Sequence, residues 1–418
     1  MGGANMGRGL TLVVLAAVLA GACLLAVAAS AGEATLARPG AVPERRWFFS
    51  FGYLRNRADV ETIKSLIRTA ADHGLNGIVL SSFGFDAITT WTEEDHAFLR
   101  EIDALCKEKG IELIPTGFSA GYGGRAPGHD PNWAAALPET ITLQAAGGQA
   151  RPVSARDSLA WIVRRDGTPL ELRSADRQVA FVEGVDFEEV ENRRDLEALT
   201  LPPGSSVREG ERLVLSCYKR AYFPKGTGTQ VSLCMSNPAL YDYWEAQVRR
   251  MHEVLEFKKV LLSMDEVRNG GGCLLCRNSG KSMAEIYGDC VTRLHGMFKA
   301  VDPEIEVLIW SDMLDPGHNA RNNYYGVVGD FTGSHRYVPK DLTIMCWWKR
   351  RKAESLAFFS GLGFRTMGAC YYDADDLTDS REWLRLLRQT PGAQGIMYSS
   401  WRRKYELLGP FGELVSRE

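Results

Sequence analysis

The chain has 418 residues, 45% of them hydrophobic, with 49 basic and 52 acidic side chains and a formal net charge of −3. That is enough apolar material for a large core, which excludes a wholly disordered chain. The near-balanced charge, with no long Lys/Arg run, excludes a polyanion-seeking surface, so no nucleic-acid partner is expected.

The N-terminus reads as a targeting segment. Arg8 precedes an uncharged stretch rich in Ala, Leu and Val from Gly9 to Gly32, and Ala29-Ser30-Ala31 has the small-x-small form of a cleavage site. A signal peptide over residues 1–31 is the expectation. The alternatives are a retained membrane anchor, for which the run is long enough, and a lipoprotein attached at Cys23. Each places the body outside the cytoplasm, secreted, periplasmic or anchored to the outer face of a membrane. Membrane contact is expected only through that segment. Of nine cysteines, eight lie beyond the leader. They are too few to frame the fold by disulfides but fit a few bridges.

Short apolar runs then alternate with amphipathic segments, the pattern of a parallel sheet with helical crossovers. The first strand is predicted at Trp47–Phe51. A helix from about Asp59 to Asp72 carries Val60, Ile63, Leu66, Ile67 and Ala70 on one stripe, with Gly74 closing it. The second strand covers Gly77–Leu80. Its helix opens at Thr92, three residues before Asp95, and ends near Gly110. The third strand is Ile111–Pro115. The period then breaks. Ala160–Val163, Gln178–Val182 and Arg212–Tyr218 read as antiparallel strands, and Leu201-Pro202-Pro203-Gly204 and Arg208-Glu209-Gly210 as turns. Residues 135–231 are read as a small β-rich insertion; the alternative is an elaborate loop without its own core. Periodicity resumes at Asn237-Pro238 with a helix to Phe257. The fourth strand is Val260–Met264, followed by a helix over Ser282–Ala300, and the fifth is Glu306–Trp310. The sixth, Leu342–Trp347, precedes a helix to Leu362. The seventh, Thr366–Tyr372, precedes a helix over Asp379–Gln389. The eighth is Gln394–Ser399, and Trp401–Leu408 is expected to start the closing helix. Eight strands predict an α/β fold, a (β/α)₈ TIM barrel built from residues 45–118 and 232–418.

In such barrels the chemistry lies at the C-terminal ends of the strands. Those ends carry Arg55 and Arg57 after the first strand, Ser81 and Ser82 after the second, and Asp265-Glu266 after the fourth. The fifth supplies Trp310, Asp312, Asp315 and His318, the sixth Trp347 and Trp348, the seventh Tyr372 and Asp373, and the eighth Trp401. Carboxylates ringed by aromatic side chains suit a sugar, whose apolar C–H face stacks on rings while its hydroxyls bind carboxylates. Any single Trp is equally well explained by barrel packing; the recurrence at successive strand ends carries the reading. Asp265-Glu266 is the sharpest signal. Adjacent carboxylates repel, so one is easily held with a raised pKa, ready to donate a proton. Successive strand residues point in opposite directions, so the two should differ in role. Glu266 has the longer reach and is the candidate general acid; Asp265 is the candidate orienting group. The alternative is a solvated acidic pair opening a loop.

The barrel segments resemble glycoside hydrolase family 20, the β-N-acetylhexosaminidases. The similarity is carried by Ile63–Leu80, including Ala71-Asp72-His73-Gly74-Leu75-Asn76-Gly77-Ile78. It continues through Glu94–Thr116, including Lys109-Gly110-Ile111-Glu112-Leu113-Ile114-Pro115, and through Asn237-Pro238 to Asp265-Glu266. The resemblance implies that Glu266 is the general acid/base and that Asp265 orients a 2-acetamido group, which itself attacks the anomeric carbon. It also implies that Arg55 or Arg57 binds the sugar, that Trp401 lines its pocket and that Tyr372 assists. The chain departs from the family where Leu262-Ser263-Met264 replaces His-x-Gly-Gly, and where Thr116-Gly117-Phe118-Ser119-Ala120-Gly121-Tyr122 replaces Asp-x-Pro-Gly-His. Asp312 and Asp373 stand as alternative partner carboxylates.

Cys273-Leu274-Leu275-Cys276 follows three glycines. A C-x₂-C pair serves as a disulfide, as buried thiols or as half a metal site, with Cys290, His295 and His318 as further ligand candidates. A structural role, tying down the loop beside Glu266, is the expectation. Asp373, Asp375 and Asp376 read as an acidic loop before a helix rather than a cation site. No cofactor is expected and no metal is assigned to the site. The expected function is hydrolysis of glycosidic bonds in a glycan or oligosaccharide. The alternative is a non-catalytic carbohydrate-binding protein on the same scaffold. A metal-dependent hydrolase ranks lower, because the seven histidines form no H-x-H or H-E-x-x-H pattern.

Overall fold

A computed structural model describes residues 43–417 apart from 82, 83, 166, 226 and 227. The leader over residues 1–31, Cys23 and Ser82 lie outside the described residues. No helix among the described residues is long and apolar enough to cross a membrane.

Eight parallel strands close into a barrel in consecutive order: β1 Arg45–Phe51, β2 Gly77–Ser81, β3 Glu112–Gly117, β4 Lys259–Leu262, β5 Glu306–Trp310, β6 Thr343–Cys346, β7 Arg365–Tyr371 and β8 Ala393–Ser399. The closing seam pairs Trp47 with Met397 and Phe49 with Ser399. Side-chain alternation sorts each strand between two cores. Trp47 and Phe49 point into the barrel with Val79, Ile114, Leu261 and Trp310. Phe48, Ile78 and Leu80 point out against the helices. The barrel is therefore a packed core rather than a pore. At the opposite end from the strand termini considered below, Arg45 makes paired 2.8 Å bonds to Glu306, tying β1 to β5.

The helices start and stop where the local chemistry dictates. Helix α1, Arg57–Asp72, begins behind Asn56, whose side chain accepts from the Asp59 N–H. It ends in paired bonds from Gly74 N–H to Ala71 C=O and from Leu75 N–H to Ala70 C=O, with Gly74 at φ 82°. Helix α2, Glu93–Lys109, has a full capping box between Thr92 and Asp95, and Gly110 closes it in the left-handed region. Asn237 caps α3, Pro238–Val254, and a second capping box between Ser282 and Glu285 opens α4, Met283–Val301. Helices α5 Lys352–Gly361, α6 Thr378–Gln389 and α7 Leu408–Arg417 complete the wall. The closing helix starts at Leu408, not within Trp401–Leu407. Trp401 and Arg402 give their N–H groups to Asp373, and Arg403 takes φ 61°, which holds this stretch as a loop.

After β3 the chain builds a six-stranded antiparallel sheet, dominated by Ala136–Ala146 against Arg212–Arg220. Ile141, Leu143, Leu172, Phe181, Leu213 and Leu215 form its own core, so this is not a coreless loop. Its longest strand, Ala136–Ala146, was not among the predicted ones. Pro138 and the small residues at its ends mask an alternation of Ile141, Leu143 and Ala145 with polar neighbours. Ala160–Val163 is not a strand: only Ile162 bridges to Lys219. Of Gln178–Val182, only Ala180–Phe181 is paired.

Candidate active site

The C-terminal end of β4 runs directly into Asp265 and Glu266. Three features hold the turn. The Tyr287 hydroxyl donates to Met264 C=O at 2.9 Å. The Asp312 carboxylate accepts the Glu266 N–H at 2.9 Å. Gly121, after β3, passes so close that a Cβ there would lie 2.2 Å from Asp265 C=O. Glu266 itself sits at φ 49°, a strained conformation for a residue with a side chain, at the point where the chain leaves the strand.

Glu266 is gripped on both carboxylate oxygens. Arg268 Nη2 pairs with Oε1 at 2.6 Å, Lys225 Nζ lies 3.3 Å from Oε2, and the Tyr122 hydroxyl donates to Oε2. Burial works against ionisation, but the Tyr122 bond and the charges of Lys225 and Arg268 outweigh it, so its pKa falls below the ordinary glutamate value. Asp265 is in the opposite state. Burial first, then the nearby charges of Asp312 and Glu266, push its carboxyl well above the ordinary range. The adjacent pair therefore divides as the sequence suggests, but it is Asp265 that is biased toward the protonated form and Glu266 toward the charged one.

Asp312 is fully buried and raised to about 6 by desolvation. It accepts from Glu266 N–H, from Asn319 Nδ2 at 2.7 Å and from Trp347 Nε1 at 3.5 Å. It is a bracket behind Glu266, not a group presented to solvent. Trp347 stacks on Tyr372 with ring centroids 6.0 Å apart and planes 5° apart, and Tyr372 lies 6.3 Å from the Trp401 ring. These rings form an aromatic wall. Burial, with the charges of Glu266, Asp265, Asp373 and Asp312, pushes the Tyr372 hydroxyl up to about 12, which places it within the field of the carboxylates. Trp310 is buried beneath, packed edge-on to Phe49 and beside Trp401, and serves as floor. His318 packs on Trp347 and Trp348, and burial lowers its pKa to about 3.

The structure thus brings together Asp265, Glu266, Asp312, Trp347, Tyr372 and Trp401, over Trp310. It does not bring Arg57 there: that side chain pairs with Glu101 and covers Phe98 on the outer helices. Arg55 stacks on Tyr53, whose ring also carries Arg403, and pairs with Asp59, so it is an exposed rim residue. Asp373 is spent on Ser400, Trp401 and Arg402 and acts as a loop cap. Asp375 pairs with Lys404, and Asp376 accepts from Thr378 N–H at the start of α6. Tyr122, Lys225, Gln230, Arg268 and Asn319 were missed. Arg268 was findable, two residues beyond Glu266. Lys225 and Gln230 come from the returning end of the insertion and carry no local signal. Gln230 donates to both Gly121 C=O and Glu266 C=O and accepts from Arg268, which locks the turn from above.

All eight described cysteines are free, buried thiols, so of the alternatives for Cys273 and Cys276 the disulfide is not formed. Of the further ligand candidates, His295 pairs with Asp341 and His318 packs on the two tryptophans, while Cys290 is buried beside Tyr241. The thiol that joins Cys273 and Cys276 is Cys234.

No protein-family model and no curated protein matches the sequence. Solved structures do match in fold. A β-N-acetylhexosaminidase superposes with a TM-score of 0.51 at 11% identity, over 90% of this chain and 72% of that one. The chitobiase of Flavobacterium johnsoniae gives 0.49 at 11% identity, over 89% of this chain. An exo-β-N-acetylglucosaminidase from Vibrio harveyi, solved in complex with N-acetylglucosamine, gives 0.45 at 11% identity, over 89% of this chain. The chain spans about half the length of the latter two, 48% and 54%. At these identities the likeness is one of fold: a divergent barrel of the kind found in glycoside hydrolase family 20.

Proposed function

We propose that this protein is a glycoside hydrolase acting on a glycan or oligosaccharide, with Asp265 and Glu266 as its reacting carboxyl groups. The observation that carries the reading is the pair itself. Two adjacent carboxyls at the mouth end of a barrel strand are driven in opposite directions, Asp265 toward its protonated form and Glu266 toward its charged form, beside a wall of stacked aromatic rings. Glycosidic cleavage needs a proton for the departing oxygen and a base for the incoming water. Burial biases Asp265 toward its protonated form, and the cations around Glu266 bias it toward its charged form. In this reading Glu266, the group of longer reach, is the general acid/base that passes the pair's proton to the departing oxygen and recovers one from the incoming water, with Asp265 orienting the substrate. Two further carboxylates of the mouth are engaged: Asp312 holds the Glu266 amide and Asp373 caps the loop after β8. The resemblance to glycoside hydrolase family 20 implies the substrate's own 2-acetamido group as the nucleophile, and hence an N-acetylhexosaminide as substrate.

The test is a screen of chromogenic glycosides with the wild-type protein, Glu266→Gln and Asp265→Asn. Turnover of N-acetyl-β-hexosaminides that drops by about 10²–10⁴-fold in either variant is the expected outcome. Equal turnover in wild type and Glu266→Gln would sink the assignment. A second reading, a glycan-binding protein without catalysis, is favoured by one observation: Arg268, Lys225 and Tyr122 together occupy the Glu266 carboxylate. It predicts saturable glycan binding with no turnover of any glycoside.

A further inference from the structure

Apart from the carboxylates, one buried cluster has a chemistry that neither the barrel core nor the proposed reaction uses. Cys234, Cys273 and Cys276 converge with Sγ atoms 3.1 Å apart for Cys273 and Cys234, 3.2 Å for Cys273 and Cys276, and 3.8 Å for Cys234 and Cys276. None of these is a bonded pair, which would lie at about 2.05 Å. Zinc bound about 2.3 Å from each sulfur at tetrahedral angles spaces its thiolates about 3.8 Å apart. One edge of the triangle already has that length, and the other two need to open by about 0.6 Å.

The backbone around the cluster is fixed without help from the sulfurs. Cys273 caps the short helical turn Leu274–Asn278, so Cys276 returns to it one turn later. Gly270 and Gly271 take φ 155° and 76°, and a Cβ on Gly271 would meet Val328 C=O at 2.0 Å, so the loop can only fold back this way. Cys234 lies on the chain returning from the insertion. Its N–H bonds to Trp133 C=O, and its C=O accepts from Asn237, the cap of α3.

Two further observations point to a ligand. The Ser236 hydroxyl donates to Cys276 Sγ at 3.3 Å, so an oxygen adjoins the cluster. The Arg165 guanidinium, whose charge acts on Cys273, has its Nη1 buried with no hydrogen-bond partner among the described residues, while Nη2 donates to Ala134 C=O at 3.3 Å. A buried guanidinium nitrogen left without a partner is costly unless an anion lies near it. Beside three thiolates around a dication, a group of net charge −1, it is compensated.

We propose that Cys234, Cys273 and Cys276 form a structural binding site for a thiolate-preferring divalent ion of the zinc type, with Ser236 or a water as fourth ligand. Binding displaces the three thiol protons and fastens the loop after β4 to the foot of the insertion. That loop carries Arg268, the partner of Glu266, so the ion would steady the site from behind without touching substrate. Full burial of all three sulfurs, none more than 4% exposed, suits a closed structural site rather than a catalytic one. The proposal stands independently of whether the barrel cleaves glycans.

The full chain, reduced and freed of metal with a chelator, is titrated with Co²⁺ and then with Zn²⁺. The expected result is one equivalent of cobalt with thiolate-to-cobalt absorption and the visible bands of tetrahedral cobalt, both erased by Zn²⁺. Cys234→Ser, Cys273→Ser and Cys276→Ser should each lose at least ~10-fold in affinity, and Cys290→Ser none. Should those variants fail to fold, alkylation of the wild type decides. Bound zinc must protect Cys234, Cys273 and Cys276, identified by peptide mass, and leave the other thiols as reactive as before. A titration without cobalt–thiolate absorption overturns the proposal. So does a disulfide within the trio whose reduction leaves a protein that takes up no metal.

Discussion

At the scale of single residues, the site depends on a carboxyl that never meets solvent. Asp312 is raised to about 6 because burial disfavours its charge, yet it must accept the Glu266 amide. Between its unfolded value near 3.8 and about 6, the folded protein holds a proton that the unfolded chain releases. Its contribution to stability is therefore fully present below the unfolded value and is lost as pH rises through the folded value, by about 3 kcal/mol in all. Asp312→Asn removes that titration. Urea denaturation across pH 4 to 7 should show wild-type stability falling relative to the variant by roughly this amount. A pH-independent difference would show that Asp312 is ionised throughout. The proton on Asp265 follows the same logic, since Asp312 and Glu266 are its charged neighbours.

At the scale of elements, the position of the Asp265–Glu266 turn is set by a close approach of the segment after β3 rather than by β4 alone. Gly121 is the contact point, because any Cβ there meets Asp265 C=O at 2.2 Å. Gly121→Ala should cost about 1–3 kcal/mol by overpacking and, more tellingly, lower kcat/KM by displacing both carboxyls. The cap of α2 offers the contrast. Thr92→Ala breaks a capping box on the outer wall and should cost about 1 kcal/mol with kcat/KM unchanged. Denaturation and steady-state kinetics on the two variants separate the effects. If Gly121→Ala keeps full activity, the close approach does not position the site.

At the scale of the molecule, the insertion is part of the site. Its returning chain forms the hairpin Phe223–Lys225 with Gly228–Gln230, and from there Lys225 reaches Glu266 and Gln230 clasps the turn. Lys225 is half exposed, so its effect is moderated by solvent and salt. Lys225→Ala should raise the Glu266 pKa, moving the acid limb of the kcat/KM profile to higher pH; added salt should shrink the difference between variant and wild type. A limb that stays in place would assign it to another group. A barrel that borrows site residues from an appended sheet keeps its core general and its chemistry local, which is how one fold carries many activities.

The sequence by itself determined the barrel. Period-2 apolar runs, period-3.6 helical stripes and cap residues at Thr92, Asn237 and Ser282 are local signals. Local hydrogen bonding and burial act on them wherever the chain goes. It also located Asp265-Glu266, since a strand end is a local feature and the barrel fixes what strand ends do. Tertiary structure alone decided which of the pair is biased toward its protonated form. That state depends on Arg268, Lys225 and Tyr122 around Glu266 and on Asp312 beside Asp265, with Tyr122 and Lys225 lying 144 and 41 residues from Glu266 in the chain. It also decided that Arg57 faces outward, that Asp373 is a cap, and that Cys234 joins a C-x₂-C pair 39 residues away. Electrostatic fields and ligand clusters are sums over neighbours in space, and only folding sets those neighbours.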